Sequence, residues 1–153
     1  MYRLLSAIII FLAGISAASA ASPTLHFSPV STREGFDYTY VSPSMLAMMG
    51  DKVVNSDLNI KASDINSIET VYTPENGTDT ELWNIIRSLK SRMKLETLTT
   101  NKQGDYRYDV LGRLSGDRKY ITNLMVITQN TGANVTVVYI EGKIPLSEVM
   151  LQY

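Results

Sequence analysis

From Leu95 to Gly142 apolar and polar residues alternate with a period of two, in stretches near 95–101, 106–114, 120–129 and 135–142. Between them lie Lys102-Gln103-Gly104-Asp105, Ser115-Gly116-Asp117 and Thr131-Gly132-Ala133-Asn134, short polar segments that each hold a glycine. A period of two sends successive side chains to opposite faces of a strand, and connections this short join only antiparallel neighbours. The stretch is therefore predicted to be an antiparallel meander, and the rest of the chain has to cover it.

Upstream, Phe36, Tyr38 and Tyr40 alternate with Asp37, Thr39 and Val41, the period of a half-buried strand. Ser42-Pro43 reads as a helix cap followed by proline at the first helical position, and Gly50 closes a short helix over 43–49. Residues 51–59 are turn-like, a helical turn is predicted around 60–66, and a strand over Ile68–Tyr72 ends at the break Pro74-Glu75-Asn76-Gly77. Thr78 and Glu81 have capping-box spacing. Leu82, Ile85, Ile86, Leu89 and Met93 then fall at helical spacing, and Arg87, Lys90, Arg92 and Lys94 complement the negative end of that helix. A short last helix is predicted from about Pro145. This order implies an α+β domain over 36–153: a single antiparallel sheet with its helices packed on one face.

The first 20 residues have another purpose. One positive charge at Arg3, an apolar run from Leu4 to about Gly14, and Ala18-Ser19-Ala20 make a secretory signal peptide, cut before Ala21. The run is too short for a membrane span, which takes ~20 residues. Residues 21–35, rich in Ser, Pro and Thr, read as a loose leader. Without cysteine the chain has no disulfide, no thiolate metal site and no thiol nucleophile, and an exported chain of that kind points to a bacterial periplasm or cell surface. Asn76-Gly77-Thr78 and Asn134-Val135-Thr136 match a glycosylation sequon but read as turns. Removal of Arg3 takes the net charge from -1 to -2 (-1 less the +1 of Arg3), with no long block of either sign. Nucleic acid and anionic membrane are accordingly not expected as partners.

Three segments together resemble the exported family known as domain of unknown function 4252, common in Bacteroidota. They are Tyr40-Val41-Ser42-Pro43-Ser44-Met45-Leu46, similar to that family's strand-to-helix opening; Ile65 to Tyr72, like its short helix running into a strand; and Val138-Tyr139-Ile140-Glu141-Gly142-Lys143-Ile144 before a terminal helix. The resemblance spans nearly all of the chain after the leader. Pro145 departs from it, standing where a polar helix cap is expected. The resemblance implies a secreted or periplasmic α+β domain and carries no activity with it.

Chemical motifs are sparse. Gly142-Lys143 between a strand and a helix has the outline of a phosphate cradle, yet Ile144 follows the lysine and Pro145 removes an N–H donor, so it reads as a joint. His26, the only histidine, sits in the leader and reads as a surface residue. One histidine and no cysteine leave zinc without its usual ligands, and Asp51, Asp57 and Asp64 lack calcium-loop spacing, so neither metal nor cofactor is expected. Asp105, Asp109, Glu141 and Glu148 are the carboxylates that could converge for hydrolysis. Arg107, Asp109 and Arg113 share one face of the 106–114 strand with Leu111, and are predicted on the open side of the sheet, where they would meet a partner's carboxylate or sulfate groups. Met45, Met48 and Met49 read as core. The expected role is an exported, non-catalytic binding or structural module whose partner is an envelope protein or other envelope component; the alternative is a small periplasmic hydrolase using carboxylates.

Overall fold

A computed structural model describes residues 25–55 and 59–150. The expected signal peptide, its cleavage point before Ala21, and Asp57 lie outside the described residues.

The predicted meander is present and lengthened: β5 (Glu96–Gln103), β6 (Tyr106–Leu114), β7 (Tyr120–Asn130) and β8 (Val135–Pro145) pair in sequence order. Gly104, at φ +59°, turns β5 into β6 in a conformation open to residues without a side chain. β1 (Asp37–Val41) and β4 (Ile65–Thr73) extend the sheet, giving six antiparallel strands in the order β1-β4-β8-β7-β6-β5. The region expected to be turn-like holds a strand, β2 (Val53–Asn55), which pairs with β3 (Ile60–Lys61) as a separate ribbon. A 3-10 turn over Ala62–Asp64 leads into β4.

Residues directly opposite in a ladder share a face. One row across the sheet is Tyr38, Val71, Val137, Ile127, Asp109 and Thr100, and the next row on that face is Tyr40, Glu69, Tyr139, Met125, Leu111 and Thr97. The apolar members of these rows pack with Phe27, Val30 and Phe36, and with Leu82, Ile86 and Leu89 of α3 (Thr80–Arg92). On the reverse face Ile68, Ile140, Leu124, Val126 and Val110 pack with Leu46 of α2 (Pro43–Met49), Ile60, Ala62 and Ile144, with Leu146 of α4 (Leu146–Met150) against them. Helices therefore lie on both faces, and the expected one-sided packing is corrected. The run Leu124-Met125-Val126-Ile127, buried throughout, demands this, because a strand apolar on successive residues must be covered on both sides. Each such fully buried aliphatic side chain contributes roughly 1.5–3 kcal/mol.

Local signals fared unevenly. Ser42 caps α2 as expected, its Oγ accepting the Met45 N–H at 3.2 Å, with Pro43 next and Gly50 at the far end. Met45 and Met49 pack on the second core, while Met48 is 76% exposed. The Thr78–Glu81 box does not form: Asp79 is the cap, Oδ1 accepting the Leu82 N–H at 3.0 Å, and Glu81 turns to Arg33. At its other end α3 closes with Lys94 N–H donating to the Ser91 carbonyl and Leu95 N–H to that of Lys90; Lys94 is left-handed, φ +52°, so that Leu95 folds into the core.

Gly142-Lys143 is no joint, because both residues lie inside β8 and α4 begins only after Pro145. Gly142 is required there for close approach: a Cβ would run into the Asp64 carbonyl oxygen, where the ladder between β4 and β8 shifts register. The described part of the leader, residues 25–35, is not loose either. A helical turn, α1 (Ser28–Ser31), runs through it, and Phe27 and Val30 are fully buried beneath α3 and the sheet. Arg33 clamps its far end, donating to Asp79 at 2.6 and 3.0 Å and to Glu81 at 2.9 Å, with its guanidinium 4.9 Å from the Phe36 ring centroid.

Candidate functional site: a polar network under the N-terminal segment

Beyond the rows that α3 covers, the same sheet face continues as Arg113, Asn123 and Glu141, which are cross-strand neighbours. The N-terminal segment meets this end of the sheet. Glu69, 3% exposed in the middle of β4, accepts three hydrogen bonds: from the His26 N–H at 3.0 Å, the Phe27 N–H at 3.1 Å, and the Tyr38 hydroxyl at 2.9 Å. A buried carboxylate is tolerated only when its oxygens are so satisfied. His26 then lays its imidazole edge-on against Tyr139, ring centroids 5.1 Å apart, with Nε2 3.2 Å from Glu141 Oε1. Tyr139 closes the chain, donating to Glu141 Oε1 at 3.1 Å and accepting from Asn123 Nδ2 at 3.0 Å.

The two bridging tyrosines are held firmly in the protonated form. Burial pushes the Tyr38 hydroxyl well up, and its bond to Glu69 and that carboxylate's charge push it further. Burial likewise raises Tyr139, with the Asn123 amide acting against it and Glu141 adding to it. Tyr40, beside them, is raised by burial and then by the charges of Glu69 and Glu141. Such phenols serve as donors at neutral pH, not as bases or nucleophiles. Among the described residues the His26 imidazole has the Glu141 carboxylate, not a serine or threonine hydroxyl, as its hydrogen-bond partner. The arrangement can present a preorganised polar surface: Glu141 and Asn123 are half-exposed, and Arg113 and Lys143 stand in solvent next to them.

His26 is thus not the surface residue expected from the sequence; its side chain is 6% exposed. Arg107, Asp109 and Arg113 do share a face, but it is the face that α3 covers, and Leu111 between them is core. Arg107 and Asp109 stand together at one margin, where Arg107 Nε donates to Asp109 Oδ2 at 2.7 Å and the Thr100 hydroxyl donates to Oδ1 at 2.7 Å. Asp109 is buried in consequence, and Arg113 is exposed at the opposite margin, beside Asn123. The four carboxylates expected to converge are dispersed. Asp105 is in the β5–β6 turn, Asp109 faces Arg107, Glu141 faces His26, and Glu148 on α4 is 3.8 Å from Lys61. Among the described residues no group of three or more histidine, aspartate or glutamate side chains is arranged to hold a metal.

Sequence reasoning missed Glu69, Tyr139 and Glu141 as a unit. The signal was an acid inside Ile68-Glu69-Thr70-Val71, a run otherwise suited to a buried strand, which calls for hydrogen-bond donors from elsewhere.

A six-stranded antiparallel sheet flanked by helices, with a polar network closed by the N-terminal segment, defines an α+β protein. Residues 31–151 match the family described as Domain of unknown function (DUF4252), and the chain belongs to that family. Phe27 and Val30, which help fill the first core, precede the matched span. The chain matches no curated protein and no solved structure. Among the described residues no helix is long and apolar enough to cross a membrane.

Proposed function

We propose that this chain is an exported, non-catalytic binding or structural module of the bacterial cell envelope. It meets an envelope protein or other envelope component at the sheet end that carries Arg113, Asn123 and Glu141. The observation that carries this reading is the closed hydrogen-bond chain Asn123–Tyr139–Glu141–His26, which fixes polar groups beside an exposed arginine with no neighbouring carboxylate in ion-pair contact among the described residues. A surface held in place before contact loses little side-chain freedom on binding. Export rests on the leader features of residues 1–20. The hydrolase alternative is disfavoured because the four carboxylates on which it depended stand apart.

The test uses tagged protein beginning at Ala21, incubated with solubilised envelope of its own organism, with captured species identified by mass spectrometry. Arg113→Ala removes the captured partner, whereas Arg107→Ala retains it, because the Arg107 charge is already engaged by Asp109. Arg113→Ala keeps a thermal midpoint close to the parent's, since an exposed charge contributes little to stability. Arg107→Ala stays folded at assay temperature but with a lower midpoint, because the buried Asp109 carboxylate loses its charged partner. Capture that survives Arg113→Ala contradicts the assignment of this end of the sheet.

A further inference from the structure

The turn between β6 and β7 and the junction of β8 with α4 border a shallow, widely open cleft of about 570 Å³, lined by Arg118, Lys119, Tyr120, Pro145, Leu146 and Ser147. Its size falls in the range of small-ligand sites, roughly 300–1,000 Å³. We propose that this cleft binds a small organic anion, a carboxylate or phosphate borne on an apolar body.

Charge is the first reason. The chain as a whole carries -1, yet Arg118 and Lys119 line the cleft with no carboxylate in ion-pair contact among the described residues. Lys143 adds a third cation beside it, its Nζ 4.4 Å from the centroid of the Tyr120 ring. The acid of the turn, Asp117, is occupied: its Oδ1 accepts the Ser115 hydroxyl at 2.6 Å and the Lys119 N–H at 3.1 Å. Those two bonds, followed by the charge of Lys143, hold the Asp117 carboxyl below its ordinary range, so its charge serves the turn's own geometry. Ionised Asp117 offsets one of the three cations Arg118, Lys119 and Lys143, and the remaining local excess of positive charge is one that an anion relieves.

Construction is the second reason. The Ser115 hydroxyl also accepts the Tyr120 N–H, the Ser115 N–H donates to the Tyr120 carbonyl, and the Leu146 N–H donates to the Lys119 carbonyl at 2.9 Å. The two halves of the cleft are therefore tied together. Arg118 sits at φ +57°, a left-handed conformation that an arginine adopts at a cost and a glycine adopts freely. Pro145 and Leu146 add apolar side chains to the lining, and Ser147 and Tyr120 add hydroxyl-bearing ones. An anionic head with an apolar tail matches that division.

The experiment titrates octanoate and, separately, inorganic phosphate into isotopically labelled protein beginning at Ala21, at low ionic strength, and follows amide resonances. Octanoate shifts the resonances of Arg118, Lys119, Tyr120, Leu146 and Ser147, and phosphate shifts the first three more weakly. Arg118→Gly and the pair Arg118→Gln with Lys119→Gln each weaken octanoate binding by about tenfold or more, the loss of one or two charge-assisted bonds. Arg118→Gly is the decisive variant, because removing the backbone strain leaves its thermal midpoint equal to or above the parent's while binding falls. An arginine with no ligand role would leave octanoate binding unaltered in Arg118→Gly whatever the midpoint does, and that result overturns the proposal. So does an absence of shifts at these residues with octanoate at millimolar concentration. Co-sedimentation with phosphatidylglycerol vesicles that Arg118→Gly abolishes, set against weak octanoate binding, identifies the anion as a lipid headgroup. The cleft does not include Arg113, so loss of envelope capture with intact octanoate binding, or the reverse, separates this proposal from the preceding one.

Discussion

Asp79 joins two structures with one carboxylate. It caps α3 through the Leu82 N–H and receives both bonds of the Arg33 fork, which together hold its carboxyl below the ordinary range, Arg33 first. Asp79→Ala is expected to destabilise the domain by at least ~1 kcal/mol, the usual loss for a helix cap. Thr78→Ala leaves the urea midpoint where it was; the reverse order of effects would mean that the helix begins one residue earlier. Gly142 and Gly116 make a second pair of tests. An alanine at 142 would drive its methyl into the backbone of Asp64 and Ile65, whereas nothing lies within 4 Å at 116. Gly142→Ala should cost about 1–3 kcal/mol, as overpacking does, and Gly116→Ala should fall within about 0.5 kcal/mol of the parent. Equal midpoints for these two variants would show that β8 does not pass Asp64 so closely. A sequence reader sees the glycine at 142 but not the strand it must slide past, because that contact joins residues far apart in the chain.

Among the elements, the strands were the most readable, since each announces its own period and its own turn. What covers them was not. The faces that α2 and α3 occupy depend on cross-strand register, and one register step inverts every side chain. The contacts of the last helix were equally hidden. α4 brings Glu148 to the 3-10 turn, where Asp64 Oδ2 and Glu148 Oε2 are both buried without a hydrogen-bond partner. Burial raises the Asp64 carboxyl first and the charge of Glu148 raises it further, while Lys61 opposes and Asp51 adds a little. Protonation of Asp64 relieves its repulsion with the neighbouring carboxylate and supplies a donor at this buried spot. Because the folded state binds this proton more tightly than the unfolded chain, its contribution to stability grows as pH falls from neutral towards about 4, the ordinary carboxylate value. Asp79, lowered by Arg33, works in the opposite sense. Comparing urea unfolding of the parent with Asp64→Asn isolates the effect. The parent should gain on the variant as pH is lowered from 7 to 5, and a parent that loses ground instead would contradict the paired-acid arrangement.

Taken whole, the molecule is a sheet whose first core is completed by the residues that come first in the chain. Phe27 and Val30 fill space under α3, Arg33 reaches its N-terminus, and Glu69 holds the backbone of residues 26 and 27. Nothing local in Ser22-Pro23-Thr24-Leu25-His26-Phe27 reveals this, because the partners lie 42 to 115 residues away. The binding surface proposed for Arg113, Asn123 and Glu141 depends on that closure, since His26 is one wall of it. Amide hydrogen exchange on protein beginning at Ala21 tests the closure directly. If the segment is part of the folded unit, the His26 and Phe27 amides are protected to within about tenfold of those in β7. Exchange of these two amides at the rate of an unstructured peptide, with β7 still protected, would contradict the closure and return the segment to a leader outside the fold.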